Sequence, residues 1–479
     1  MTKKSNHVTN KIQLILLIAG MTCCCISDGF IFGQMSGMTD ALRASNSTIP
    51  LTDDDISWIA STINVTCVVG FLVVGILAKL LGRRASISTL STPLLICWII
   101  LYFVGDKILL LCTRVIVGVT YGGVAMLVSV CIVEYLDPNV RQYAFSFISS
   151  VGSQVGVTMG HVLCLLIDWR YVALVGLVPT GISCLIPLFW TESPSWLATH
   201  GRFEESEEAF WKLHAQNEIR ESELRQLITH EKQKKREFLM QSNTNSAFVK
   251  FLFACKEVYY WRIIVIGVII GAYRAAAGRI LLFTLALTMI QEITGDSDIL
   301  LYTIVVDGFG IFGAAVSCFL VKRFPMRSLL LVSGTIANIL LLLVSASLYF
   351  VPNEEWYPWI KILLIACYCI IINAGPYPVL DIVLAEIHPL DIKEFSIFLI
   401  GGLGGTIQFL WIKLAGTMFD NIGYSGTFLF NCVVVFVCIL YMWRYMPETK
   451  SKTLQNVELF FRTGKFDHIN NNERLRELL

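Results

Sequence analysis

Asp28, Arg274 and Asp307 each stand inside a long apolar run. A charged side chain at such depth in a membrane protein is retained where it meets a cavity, an ion or an opposite charge. Asp28, in CCCISDGFIFGQMSG, reads as a cavity or proton-binding carboxylate, as half of a structural ion pair, or as a group close to one surface. Arg274, in GAYRAAAGRILL, costs on the order of 3 kcal/mol at the centre of a span. It therefore pairs with Asp28 or Asp307, holds an anionic solute, or snorkels its charge to the interface. Arg279, about one helical turn further on, is expected nearer water. His161 reads as ordinary packing before it reads as a proton shuttle, and Asn373 as a helix–helix contact before a solute contact.

The elements that hold these groups follow from composition. Over 479 residues, 55% are hydrophobic and 15% charged, with a mean hydropathy of +0.66; a soluble domain carries about 25% charged residues. Twelve apolar stretches are each roughly 20 residues long, enough to cross a bilayer. Six lie at about 12–34, 55–78, 85–104, 109–132, 143–166 and 170–190, and six at about 261–289, 299–321, 327–350, 359–384, 394–418 and 424–445. An even number puts both termini on one side. The loops on that side carry Lys11, Arg83, Arg84, Arg141, Lys322 and Arg327, and the opposite loops carry Asp53, Asp54, Asp55, Glu292 and Asp296. The positive-inside rule therefore makes both termini cytosolic. Residues 191–259 between spans six and seven are charge-rich with helical spacing, a cytosolic insert. The expected organisation is 1–190, 191–259, 260–446 and a tail at 447–479.

The first apolar run is long enough to span and lacks a small-residue cleavage site, so no signal peptide is expected. Most of the 15 cysteines lie inside spans and act as small apolar residues, without a structural disulfide. Asn46-Ser47-Thr48, in the first outer loop, is a glycosylation acceptor, whereas Asn64-Val65-Thr66 lies within the second span. No GxxxxGKS, metal-ligand cluster or nucleophile motif is present, so neither an ATP-driven pump nor an enzyme is expected, and no cofactor. A net charge of +1 offers nothing to nucleic acid.

Several motifs fall in order along this topology: GILAKLLGRR after span two, Arg114 with Gly118 and Gly122 in span four, IVEYLDPNVR, Gln154 ahead of Gly160, ESPSWL, and PETKSKTL after span twelve. Together they resemble the sugar-porter branch of the major facilitator superfamily, nearest to insect facilitated-trehalose-transporter-like proteins, over nearly the whole chain. The resemblance implies an all-α membrane protein of twelve transmembrane helices in two pseudo-symmetric six-helix bundles. It also implies an inner gate of inter-half ion pairs. Arg83, Arg84, Glu134, Arg141, Glu192, Arg327, Glu386, Lys393 and Glu448 fall at cytosolic helix ends for that purpose, with Arg114 the carried-over arginine of span four.

The resemblance also implies hydroxyl-reading side chains, of which Gln154 and Gln408 survive. The span-seven frame of glutamines and asparagine reads instead Arg274, Ala275 and Ile280, and the span-ten tryptophan is replaced by Val379, with Asp381 nearby. The loop residues after spans two and eight are reversed to Lys79 and Lys322. Gly375, Pro376 and Pro378 imply a broken helix. The expected activity is alternating-access carriage of a small polyhydroxylated solute, a hexose or trehalose-like sugar, facilitative and monomeric in the plasma membrane. A proton-coupled or organic-anion carrier using Asp28 and Arg274, and a non-transporting sugar sensor, are the other readings.

Overall fold

The computed structural model describes the chain except residues 1, 44–48, 137, 215–219, 223, 227, 230, 233–255, 297, 351–356, 389–392, 451–453 and 464–479. Asn46 falls outside the described residues, as does the side chain of Lys393.

Eleven stretches among the described residues are long and apolar enough to cross a membrane. The first half is built from α1 (Thr2–Arg43), α2 (Asp53–Leu80), α3 (Arg83–Phe103) and α4 (Lys107–Tyr135). Its fifth span joins α5 (Pro138–Phe145) to α6 (Gly152–Leu166) through a π-turn at Ser146–Val151, and its sixth joins α7 (Trp169–Val175) to α8 (Leu177–Leu185). The short amphipathic helices α9 (Pro194–Thr199) and α10 (Phe203–Leu213) follow. The second half holds α11 (Val258–Ala276) and α12 (Arg279–Thr294), which share span seven, then α13 (Leu300–Arg323) and α14 (Met326–Phe350). Span ten is α15 (Tyr357–Ala374) and α16 (Pro376–Glu386). The 53-residue α17 (Lys393–Tyr445) precedes α18 (Leu454–Thr463). A straight helix of that length would run about 80 Å, far beyond the ~30 Å of a bilayer core. It turns at Gly423, whose φ of 69° is open only to glycine at low cost. α17 thus supplies two crossings and brings the total to twelve.

Helix starts obey local chemistry. Thr52 and Asp55 form a reciprocal capping box on α2, and Asp106 accepts from the Ile108 and Leu109 amides at the start of α4. Packing then repeats between halves. α1 lies on α6 and α2 on α4, and the same partnership recurs as α11 on α17 and α13 on α15. The halves meet through α2 with α17, α6 with α13, and α1 with α12.

Small residues make the closest of these contacts possible. Gly29, Gly33 and Gly37 form a ladder on α1 that faces Gly156 and Gly160 on α6. A Cβ at Gly33 would stand 2.3 Å from the Val157 carbonyl oxygen, and one at Gly156 2.1 Å from that of Ile26. Backbones approach this closely only without side chains between them, the small-xxx-small packing of membrane helices.

Candidate functional site

Between the halves lies a cavity of about 400 Å³, within the range of small-ligand sites. Its walls come from α1, α2, α4 and α6 on one side and from α11, α12, α16 and α17 on the other. It extends toward the end of the bundle where Glu192 and Glu448 lie, the terminal face, since Ile132, Val133, Leu384 and His388 line it there. The other end, the opposite face, is shut.

Two helix breaks shape the cavity. Gly278, with φ 72°, separates α11 from α12, and Gly375 separates α15 from α16. Tyr377 stitches them: its hydroxyl donates to the Arg274 carbonyl oxygen at 2.6 Å and accepts from the Arg279 amide at 3.1 Å. Non-helical backbone at this depth persists because such partners satisfy its polar groups.

The charged groups lie around these breaks. Arg274 Nη1 donates to Asp381 Oδ1 at 2.5 Å, an ion pair within the second half. This corrects the expectation of Asp28 or Asp307 as its partner. At Arg274 it is α16 of span ten that meets α11, whereas α1 of span one packs on α12, beyond the break at Gly278. Arg279, expected near water, is only 6% exposed. Its guanidinium stands 5.0 Å from the ring centres of both Phe283 and Tyr377 and donates to Ser153 Oγ of the first half at 3.3 Å. Rings and a hydroxyl take the place of solvent. Asp28 lines the cavity at 7% exposure and makes no hydrogen bond or ion pair among the described residues. Gln408 also lines it, and its Nε2 has no partner among them.

The remaining candidates gather elsewhere. Gln154, Asn373, Asp307 and Arg279 line a second, small cavity of about 20 Å³, room for a single water. Gln154 Oε1, Asn373 Oδ1 and Arg279 Nε all lack partners among the described residues. Asp307 Oδ2 lies 2.9 Å from His161 Nδ1, and His161 Nε2 lies 3.0 Å from the Phe283 carbonyl oxygen. His161 is therefore not simply packed: it joins α6 to α13 and α12.

The opposite face is closed by further inter-half contacts. α12 departs from helical geometry at Leu285 (φ −126°, ψ 17°). Near this kink the Leu287 amide donates to Ser36 Oγ at 3.1 Å, and the Phe283 carbonyl meets His161. Thr288 donates to Asp40 at 3.3 Å. Lys413 pairs with Asp54 and lies 4.8 Å from the Trp58 ring centre.

At the terminal face the expected inter-half ion pairs give way to networks inside each half. Arg83 grips Glu134 through two hydrogen bonds of 2.6 and 2.8 Å, and Ser193 donates to the same carboxylate. Glu192 accepts from the Arg83 amide, while Glu448 accepts from the Met326 and Arg327 amides. Each half thus sets one glutamate on the amino end of its third long helix, α3 or α14, where free N–H groups and the helix dipole favour an anion. Gly82 makes room for the first: at φ 86°, a Cβ would stand 2.4 Å from Glu192 Oε2. Arg84 donates to the Trp190 carbonyl and Arg141 to that of Val133, and Arg327 donates to the Trp443 carbonyl. These arginines close helix ends. Glu386 of the second half feels Arg141 and Gln142 of the first, and Lys322 lies 5.3 Å from the Tyr143 ring centre. The buried Arg114 belongs to the other end: Nη2 donates to Gln34 Oε1 at 3.3 Å and contacts Met38 Sδ at 2.9 Å, beyond reach of the terminal face.

Several groups at the site had no signal in the sequence. Tyr377, Tyr121 and Ser153 are ordinary residues until the fold turns them into the cavity. The pair of Lys413 with Asp54 joins residues 359 positions apart.

Two helical halves repeating one packing scheme around a shared central cavity define a multi-pass membrane carrier of the major facilitator superfamily. The family profile described as "Sugar (and other) transporter" matches residues 14–461, and the chain belongs to that family. It is 26% identical over 457 residues to Sugar transporter ERD6-like 6 of Arabidopsis thaliana, covering 90% of this chain and 88% of that protein. It is 24% identical over 436 residues to Facilitated trehalose transporter Tret1 of Bombyx mori, covering 90% and 84%. A structure of the proton:xylose symporter XylE bound to 6-bromo-6-deoxy-D-glucose superposes with a TM-score of 0.75 at 18% identity, over 94% of this chain and 100% of that one. The chain is a transporter and not an enzyme.

Proposed function

We propose that the protein carries a small sugar, a hexose or trehalose-like disaccharide, down its gradient across the plasma membrane by alternating access. The observation that carries this reading is the cavity itself. It lies between two halves, reaches one face only, and offers Gln408, Asn64, Tyr121 and the paired Arg274 and Asp381 to a polyhydroxylated solute. An ion pair inside a cavity presents donors and acceptors together at no net charge, which suits hydroxyls. The family and its trehalose-carrying relatives support the substrate class. Gln154 and Asn373, now around the small cavity, join the solute when the halves rock the other way.

The distribution of Lys and Arg makes the terminal face cytosolic, so this conformer is open inward with both termini in the cytosol. Asn46 is then extracellular and glycosylated. The test is counterflow of labelled glucose and trehalose in proteoliposomes. Saturable exchange is expected, and its absence for every neutral sugar tried would overturn the reading. Glycosidase treatment of wild type and Asn46→Gln checks orientation, with a mobility shift expected for wild type alone.

A further inference from the structure

The geometry points to a proton-binding site formed by His161 and Asp307 between the halves, occupied when the extracellular side is shut. The argument starts from hydrogen-bond capacity. His161 Nε2 faces the Phe283 carbonyl oxygen at 3.0 Å. A carbonyl only accepts, so Nε2 carries its hydrogen. Nδ1 faces Asp307 Oδ2 at 2.9 Å, and a contact between two bare lone pairs at this distance is repulsive. One further proton therefore lies between them, on the imidazole or on the carboxyl. Either way the pair is neutral as a whole, which suits side chains only 1% and 8% exposed.

The three groups belong to different bodies. His161 sits on α6 of the first half, Asp307 on α13 and Phe283 on α12 of the second. The inference rests on the alternating-access reading, because extracellular opening draws α6 away from α12 and α13. Once apart and wet, a neutral histidine and an ionised aspartate hold one proton fewer than the joined pair. Closing thus takes up a proton and opening returns it to the same side. Of the second half, Arg279 of α12 and Cys369 of α15 line the small cavity with Asp307. At this level α1 and α6 present Gln34, Gln154 and the Cys164 thiol. Two other carboxylates lie on α1, Asp40, which accepts from Thr288 of α12 across the halves, and Asp28, which lines the large cavity; neither is hydrogen-bonded to His161 among the described residues.

The sign follows from linkage. Acid on the extracellular side favours the shut state, and alkali favours opening, by up to about tenfold in the opening constant per pH unit for one proton. Below about pH 6.5, where a freed histidine is itself protonated, the dependence flattens.

The test reads orientation without sugar. Fluorescent noncanonical amino acids at Tyr171 and Leu301, both exposed near the opposite face, report separation of the halves as external pH is varied at fixed internal pH. Wild type is expected to open progressively from pH 6.5 to 8.5. Asp307→Asn and His161→Gln, each able to keep one hydrogen bond, are expected to lose that slope. A flat wild-type profile, or a slope retained in both variants, overturns the proposal. Sugar counterflow on the same samples separates the two readings: counterflow with a flat profile sinks only the proton site, and a steep profile without counterflow sinks only the sugar.

Discussion

A guanidinium and a carboxylate held together inside a cavity are worth more as a pair than apart, because removing one leaves the other charged and poorly solvated. Arg274→Gln or Asp381→Asn alone is therefore expected to lower thermal stability more than the double substitution. The coupling should be on the order of 1–3 kcal/mol, measured as melting shifts in detergent across the four proteins. Sugar exchange should be weakened by either single change, since both side chains line the cavity. This pair also marks the limit of what residues reveal in isolation. The embedded charges were legible because apolar runs make them conspicuous. Their partners were not, since Arg274 and Asp381 lie 107 positions apart and meet only after two helices break.

At the scale of elements, glycines decide how near the helices come. Gly156→Val on α6 is expected to abolish the folded protein, read as loss of the monodisperse peak on size-exclusion chromatography, because its side chain has backbone 2.1 Å from its Cβ. Gly181→Ala on α8 is the control: nothing lies within 4 Å, and alanine should be neutral or stabilising by up to about 1 kcal/mol. Gly82→Ala should cost about 1–3 kcal/mol for the backbone alone, since φ 86° with ψ −178° is essentially open only to glycine, and displace Glu192 from the amino end of α3 besides. The spans themselves were readable from apolar length, and the break in span ten from Gly375, Pro376 and Pro378. The kink at Leu285 was not, because no glycine or proline stands there and the cause is tertiary: Ser36 and His161 engage backbone groups of α12.

For the whole molecule, the location of each charge network decides what it does. At the terminal face Glu192 and Glu448 bind within their own halves, unlike Glu386, so Glu192→Gln and Glu448→Gln should weaken the halves separately and leave the balance of orientations nearly unchanged. Lys413→Ala should instead favour opening of the opposite face, seen as greater separation of probes at Tyr171 and Leu301. The sequence reading named Glu192 and Glu448 as members of an inter-half gate and did not single out Lys413, because it could not tell pairs within a half from pairs between halves. Position along the chain records which membrane face a residue reaches, and not which neighbour it meets there.

The bond between Lys413 and Asp54 has a further consequence. Asp54 is 72% exposed at its side chain, so dissolved ions reach the pair, and exposed pairs weaken as the Debye length shrinks from about 10 Å at 0.1 M to 3 Å at 1 M. The glutamate networks at the other end are half-buried and feel this less. Ionic strength therefore acts on one end of the molecule: raising salt at the opposite face loosens the seal there, and the same salt at the terminal face does less. The fraction of time that face stands open would then report the salinity of the solution on its own side.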